Sequence, residues 1–240
     1  MDKKIFDRVE KKYLITPAEK KKILAFVEKN MEKDKYFKSE IFNIYFDTDN
    51  YDLIIKSIDN PDFKEKFRAR AYAGYDKVFL EIKTKLKQDD IRVGYKRRVL
   101  ITHSDYTKFI KKEKTARELA LQKVETDNDL QIASEIDYLV DYLDLKPKIL
   151  VYYDRRSYVD KDGLRITFDE NLSFRDKDLS FKRKIHDKHY FNDKKSIIME
   201  VKATNALPLW LVEVLSKNKI YPERFSKIGK VYELIKKGIK

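Results

Sequence analysis

Cations recur two residues apart in several stretches of this sequence: Lys66, Arg68 and Arg70; Lys83 and Lys85 after Glu81; Lys96 and Arg98; Arg165 before Thr167 and Asp169; Lys202 after Glu200. Residues i and i+2 share one side of a β-strand, so each stretch, if extended, lays a row of charge along one face. Such rows call for an anionic partner: nucleic acid, a polyanion, phospholipid or a phosphorylated small molecule. Like charges side by side repel, and Glu10, Glu81, Asp169 and Glu200 are placed to neutralise part of that repulsion.

The charge is unevenly spread. The 240 residues hold 54 Lys+Arg against 41 Asp+Glu, a formal net charge of +13. Residues 62–102 contain twelve Lys/Arg and six Asp/Glu, whereas residues 125–144 contain seven acids and no base. At 42% hydrophobic and 13% aromatic, the chain has enough apolar mass for a real core. The absence of Cys excludes disulfides, thiolate zinc sites and cysteine nucleophiles. The few glycines form neither a GxxxxGK[ST] loop nor a GxGxxG turn, so the familiar nucleotide loops are excluded too. His103, His186 and His189 show no zinc-ligand spacing and read as surface residues. No run reaches the roughly 18 apolar residues of a membrane span. The opening Met-Asp-Lys-Lys leads into no apolar signal region, so a cytoplasmic location is expected.

The elements that must position the cations follow from periodicity. Thr16-Pro17-Ala18-Glu19 is a capping box with Pro at the first helical position, and Ile23, Phe26 and Val27 continue an apolar face to about Asn30. Ile132, Ile136, Val140 and Leu143 recur at helical spacing, so residues 127–144 read as an amphipathic helix with a carboxylate-rich, solvated outer face. Two more helices are expected to start near Pro208, with Trp210 as a core anchor, and near Ser226. Period-two segments run over 8–15, 41–47, 63–72, 78–87, 91–101, 149–159, 164–172 and 197–203, about eight strands. Residues 175–195 read as a long polar loop. Faces opposite the cations carry Phe67, Ala69 and Ala71; Phe79, Ile82 and Thr84; Ile166 and Phe168; and Val201.

Two architectures satisfy this pattern. In one, the charges form the solvated outside of an ordinary antiparallel sheet. In the other, the sheet closes into a barrel with a charged, wet interior, its apolar faces turned outward and covered by the helices.

Ordered motifs bear on the choice: Arg8-Val-Glu10-Lys-Lys12-Tyr13, Phe67-Arg68-Ala-Arg70, Phe79-Leu-Glu81-Ile-Lys83, Tyr95-Lys96-Arg97-Arg98, Tyr152-Tyr153-Asp-Arg155, Arg165-Ile-Thr-Phe-Asp169, Met199-Glu200-Val-Lys202 and Phe225-Ser226-Lys227. With this set the chain resembles VTC-type polyphosphate polymerase domains, within the triphosphate tunnel metalloenzyme (CYTH-like) superfamily, from about Phe6 to Leu234. The resemblance implies an α+β fold over residues 1–240 as one domain: a closed antiparallel β-barrel of about eight strands with covering α-helices, whose basic tunnel binds a triphosphate and a divalent metal. In polymerase members the tunnel passes the γ-phosphate of ATP to a growing polyphosphate chain.

Carried over residue by residue, the resemblance makes Lys12, Arg68, Arg70, Lys83, Lys96, Arg155 and Arg165 the phosphate-binding catalytic cations. Tyr153, Arg224, Ser226 and Lys227 become substrate contacts, joined by Arg98 and Lys202 from the same rows. Ser226 and Lys227 also open a helix, where exposed N–H groups and the dipole favour an anion. Glu200 becomes the metal-binding carboxylate, with Glu10 a second candidate, for Mg²⁺ or Mn²⁺. One departure stands out: the hydrolytic tunnel enzymes open with Glu-x-Glu-x-Lys, and here the same spacing reads Arg8-x-Glu10-x-Lys12. Losing that carboxylate weakens a second metal site and favours phosphoryl transfer over hydrolysis. The reading is a metal-dependent polymerase using ATP and inorganic polyphosphate, without nucleic acid, with any membrane partner supplied in trans. Its rivals are a tripolyphosphatase or nucleoside triphosphatase on the same scaffold, and a non-catalytic polyphosphate or inositol-phosphate binding module.

Overall fold

The computed structural model describes residues 9–59, 62–88, 91–122, 126–184, 187–189, 196–204 and 206–238. In chain order the elements are β1 (Val9–Ile15), α1 (Pro17–Asn30), β2 (Glu32–Asp47), α2 (Asp52–Ile58), β3 (Phe63–Tyr72), β4 (Val78–Gln88), β5 (Ile91–Ile101), α3 (His103–Ile110), α4 (Ala116–Leu121) and α5 (Asp127–Tyr142). They continue with β6 (Lys146–Val159), β7 (Arg165–Arg175), β8 (Lys188–His189), β9 (Ile197–Ala203), α6 (Leu209–Lys217) and α7 (Lys227–Lys236). Arg8 and His186 lie outside the described residues.

The long strands form one sheet in the order β1-β9-β7-β6-β2-β3-β4-β5, with the two-residue β8 paired to β7. Ladders β1/β9, β7/β9, β2/β3, β3/β4 and β4/β5 are antiparallel. The eight long strands and accompanying helices are the α+β architecture expected. Among the described residues, the hydrogen-bonded path has two ends, β1 and β5, rather than forming a ring. No helix among the described residues is long and apolar enough to cross a membrane.

The chain forms two compact units. The first comprises the described residues of Met1–Glu40, Tyr152–Ser173 and His189–Ser226. Its core takes alternate residues from three strands: Tyr13 and Ile15; Ile166 and Phe168; Ile197, Met199 and Val201. Alternation sends Lys12, Thr167 and Glu200 to the other face. Helices α1 and α6 pack together and cover this core with Ile23, Val27, Leu211, Val214 and Leu215, and Trp210 lies partly buried against it. Helix α1 starts as its sequence demands: the Glu19 N–H donates to Thr16 Oγ1 at 3.1 Å and the Thr16 N–H to Glu19 Oε2 at 2.7 Å.

The second unit comprises the described residues of Ile41–Val151, Phe174–Lys188 and Lys227–Lys240. Here Phe46, Phe67 and Ile82 lie in one row of the β2–β3–β4 ladder, followed by Ile44, Ala69 and Leu80. Phe67 packs its ring 4.7 Å from Phe46 and 6.4 Å from Phe109 of α3. Ile132, Ala133, Ile136 and Leu139 are the buried stripe of α5. Its acids are not all on a solvated outer face as expected, because Asp137 accepts the Ala116 and Arg117 N–H groups at the start of α4 and Glu135 pairs with Arg97 at 2.7 Å. Helix α2 is seeded by the fully buried Asp47, whose carboxylate accepts N–H bonds from Thr48, Leu53 and Ile54 at 2.8–2.9 Å. Burial pushes that carboxyl group's pKa up, against the lowering effect of the three N–H donors.

Because Phe67 alternates with Arg68 on β3, it anchors the apolar face behind the cations. Phe67→Ala is expected to lower stability by about 3–5 kcal/mol in urea unfolding. A loss below about 1 kcal/mol would contradict the packing described.

Candidate functional site

Strand register assembles the cations of the second unit. Tyr45, Arg68, Glu81 and Arg98 form one row across β2–β5; Asn43, Arg70 and Phe79 begin the next; Lys66, Lys83 and Lys96 lie abreast in a third. Glu81 is the hub, with 1% of its surface exposed. Arg68 donates to Glu81 Oε2 from Nε at 2.8 Å, with Nη2 at 2.7 Å from the same oxygen. Arg70 Nε lies 3.8 Å from Oε2, and Lys96 Nζ and Arg98 Nη1 stand 3.9 and 4.0 Å from Oε1. Burial alone would push this carboxyl up, yet Arg68 and Arg70, with a contribution from Lys96, bring it down to about 2. The pKa of the Lys96 ammonium is lowered too, by burial and by the neighbouring arginines against the pull of Glu81.

Side chains unremarked in the sequence orient these cations. Asn43 Oδ1 accepts from Arg70 Nε at 2.8 Å, while Asn43 Nδ2 donates to the Val151 carbonyl at 3.2 Å. Tyr45 Oη accepts from Arg68 Nη1 at 3.2 Å. Phe79 corrects an expectation: it shares the face of Glu81, not the opposite one, because an odd-numbered residue of β4 follows the parity of Glu81 and Lys83. There its ring lies under the Arg98 guanidinium, 4.5 Å from centroid to Cζ.

The first unit carries its own polar cluster. In register, Lys12, Glu200 and Thr167 make one row, and Glu10, Lys202 and Arg165 the next. Arg155, Arg165, Thr167, Glu200 and Lys202 line one small cavity. Arg155 is clamped by the fully buried Asp169 through two bonds, from Nε at 2.7 Å and Nη2 at 2.8 Å. Burial opposes its charge, but that pairing raises the guanidinium pKa well above its ordinary value. Its Cζ also sits 5.4 Å from the ring centroid of the buried Tyr153. Arg165 is held by Ser157 Oγ at 3.0 Å and Asp34 Oδ2 at 2.8 Å. Lys202 stands 3.0 Å from Glu200 and 3.9 Å from Glu10, and Lys12 is 3.7 Å from Glu10.

Lys12 also reaches the far end of the sequence. Its Nζ donates to the Phe225 carbonyl at 3.3 Å, and its own carbonyl accepts from the Glu223 N–H at 2.7 Å. Lys12 is thereby brought to the segment holding Arg224 and Ser226, two of the residues expected to contact substrate. Arg224 is exposed, and Lys227 is the first residue of α7.

Among the described residues, no group of three or more His, Asp or Glu could hold a metal unaided. Thr167 Oγ1 is nonetheless buried without a hydrogen-bond partner among those residues, next in register to Glu200 and on the same cavity. A carboxylate and a hydroxyl oxygen fit a Mg²⁺ or Mn²⁺ ion that draws its other ligands from phosphate and water.

The VTC domain family profile matches residues 7–235. Among solved structures, a putative adenylyl cyclase from Hippeastrum, described as having a dominant triphosphatase activity, aligns with a TM-score of 0.55 at 15% identity, covering 96% of each chain. A protein from Pyrococcus horikoshii OT3 aligns at 17% identity with a TM-score of 0.48, covering 94% of this chain and 98% of its own. No curated protein matches the chain.

Glu81→Gln would leave four cations around a neutral amide and is expected to cost about 3–5 kcal/mol. A carboxyl whose folded pKa lies below its unfolded value contributes fully above the unfolded value and loses that contribution as pH falls. The wild type should therefore weaken from its ordinary 4.5 down toward 2, while the variant lacks this part of the slope. Parallel urea-midpoint profiles for the two proteins over this range would remove Glu81 from its role as counter-charge.

Proposed function

Because the chain belongs to the VTC domain family, we propose that it is a metal-dependent polyphosphate polymerase, transferring the γ-phosphoryl group of ATP to the end of an inorganic polyphosphate chain. The observation that carries this reading is the excess of cations around Glu81. Arg68, Arg70, Lys96 and Arg98 lie within 4.0 Å of one carboxylate, and Lys66 and Lys83 stand in the adjoining row. A face so provided is suited to a dense polyanion.

A terminal oxygen of the acceptor chain attacks the γ-phosphorus while the bond from that phosphorus to the bridging oxygen breaks, and ADP departs with the electron pair. The acceptor oxygen is already anionic at neutral pH, so the protein need supply only alignment and charge stabilisation. Arg68, Arg70, Lys83 and Lys96 are assigned to the phosphoryl oxygens, where fixed donors gain most as negative charge develops. In the first unit the same role falls to Lys12, Arg155, Arg165 and Lys202, with Tyr153, Arg224 and Ser226 as further contacts; Lys227, a further contact, opens α7 in the second unit. Asp169 and Asp34 keep Arg155 and Arg165 from turning away. Glu200 and Thr167 would hold a Mg²⁺ or Mn²⁺, with Glu10 nearby, and the ion when bound would neutralise and orient phosphate oxygens. Arg8, in place of the first carboxylate of the hydrolytic motif, supports transfer over hydrolysis.

The second reading, a tripolyphosphatase, is favoured by the triphosphatase activity described for the Hippeastrum protein. Incubation with labelled ATP and Mn²⁺ or Mg²⁺, followed by gel separation, distinguishes the two. The expected product is a polyphosphate ladder, reduced about 100-fold or more in Lys83→Ala with the circular dichroism spectrum retained. Orthophosphate release from tripolyphosphate without any chain product would replace the polymerase with the hydrolase.

A further inference from the structure

Tyr45 belongs to no motif considered above, yet it occupies the first position of the row that continues through Arg68 and Glu81 to Arg98. Only 8% of its surface is exposed. Its hydroxyl oxygen accepts from Arg68 Nη1 at 3.2 Å, and the same guanidinium sits 5.9 Å from its ring centroid. Arg68 is thus held from two sides, by a phenol on β2 and by Glu81 on β4. The cations that lower the phenol's pKa are on β3: Arg68, Lys66 and Arg70, while Glu81 of β4 lies beyond Arg68 in the same row. On its other flank, Asn43, two residues away, bonds to β6 at Val151, and β6 carries only apolar Ile149 and Leu150 between there and Lys148.

We propose that Tyr45 is a positioning residue of this cluster: as a neutral phenol it fixes Arg68 against Glu81, and as a phenolate it becomes an internal counter-anion that competes with an anionic substrate for the same cations. The proposal rests on the reading of this face as a polyphosphate site. Burial alone would make the phenol a weaker acid, but Arg68, Lys66 and Arg70 outweigh it and bring the group down to about 8. Other buried phenols show the reverse: burial raises the pKa of Tyr106 and moves Tyr158 up to about 12.

The sign of the effect follows from linkage. An anion binds better when Tyr45 carries its proton, so the part of the affinity that depends on Tyr45 is constant below about pH 8 and falls above it, while bound anion pushes the phenol's pKa upward. With a single proton involved, tripolyphosphate affinity should fall by up to about tenfold between pH 7 and pH 9.

The test is calorimetric binding of inorganic tripolyphosphate at both pH values to wild type and Tyr45→Phe, with ultraviolet titration of phenolate in the wild type. The expected results are an alkaline loss of affinity in wild type that Tyr45→Phe lacks, and one phenolate equivalent appearing near pH 8 that tripolyphosphate moves higher. An equal alkaline loss in Tyr45→Phe overturns the proposal, as does a wild type in which no phenol titrates below the ordinary tyrosine range. The absorbance titration needs no variant, so a Tyr45→Phe chain that fails to fold leaves the question decidable. A wild type that binds no tripolyphosphate at pH 7 overturns the polymerase reading instead, and it does so before Tyr45 is tested.

Discussion

A β-sheet that carries Lys or Arg at every second position of neighbouring strands sets its own charges against one another. Cross-strand partners lie about 5 Å apart, and like charges there oppose the ladder that the backbone would form. In the second unit, one carboxylate at one register position relieves this. Glu81 is buried among Arg68, Arg70, Lys96 and Arg98, and the apolar reverse side of β3 and β4 packs behind it. Replacing the carboxylate by a neutral group would leave the half-buried Arg68 and Arg70 facing each other beside Lys96 and Arg98 without their counter-charge, which is costly. The rigidity of the cationic face is therefore inherited from an anion that is itself almost wholly hidden.

The first unit meets the same demand by distribution. Asp169 takes Arg155, Asp34 takes Arg165 together with Ser157, and Glu200 and Glu10 share Lys202. Each cation is aligned by its own partner while still lining or adjoining the cavity. A guanidinium has five N–H donors, and the Asp169 clamp engages two of the nitrogens that carry them, so pairing sets orientation without consuming the group. One unit pools its counter-charge and the other parcels it out. Both arrangements keep positive charge in fixed directions, which electrostatic binding of phosphoryl groups requires.

Much of this was legible from parity. Alternation along 63–72, 91–101 and 197–203 matches β3, β5 and β9 at both ends, and the Thr16 capping box places the start of α1. Parity also sorts the faces, and the misassignment of Phe79 came from breaking that rule on β4. The first half of β2, Glu32 to Glu40, was missed because it is nearly all polar and largely exposed, with no apolar period to read. Its Asp34 consequently went unrecognised as the partner of Arg165. Helices α2, α3 and α4 have six to eight residues each, too short for a helical period to emerge, although Thr102 with Asp105 and Thr115 with Glu118 are capping boxes open to the same reasoning as Thr16. Asn43 and Tyr45 carried no signal, since an uncharged side chain between apolar strand residues gives no hint of which arginine it will meet.

The ladder between β1 and β9 joins residues 9–15 to residues 197–203, and Lys12 is tied further on to Phe225 across 213 positions. Strand β1 therefore waits for residues 16–196 to be synthesised before it finds its hydrogen-bonded neighbour β9. Helix α1 and β1 emerge with an apolar side, formed by Tyr13, Ile15, Ile23 and Val27, whose partners on β7, β9 and α6 do not yet exist. Contacts of such long sequence separation slow folding and prolong the exposure of an unpaired strand. Residues 41–151, by contrast, bring β3, β4 and β5 together through neighbouring hairpins and can organise as they appear. The β3–β5 hairpins and the β1/β9 ladder thus form on different clocks, and the apolar side of β1 and α1 must wait for its partners.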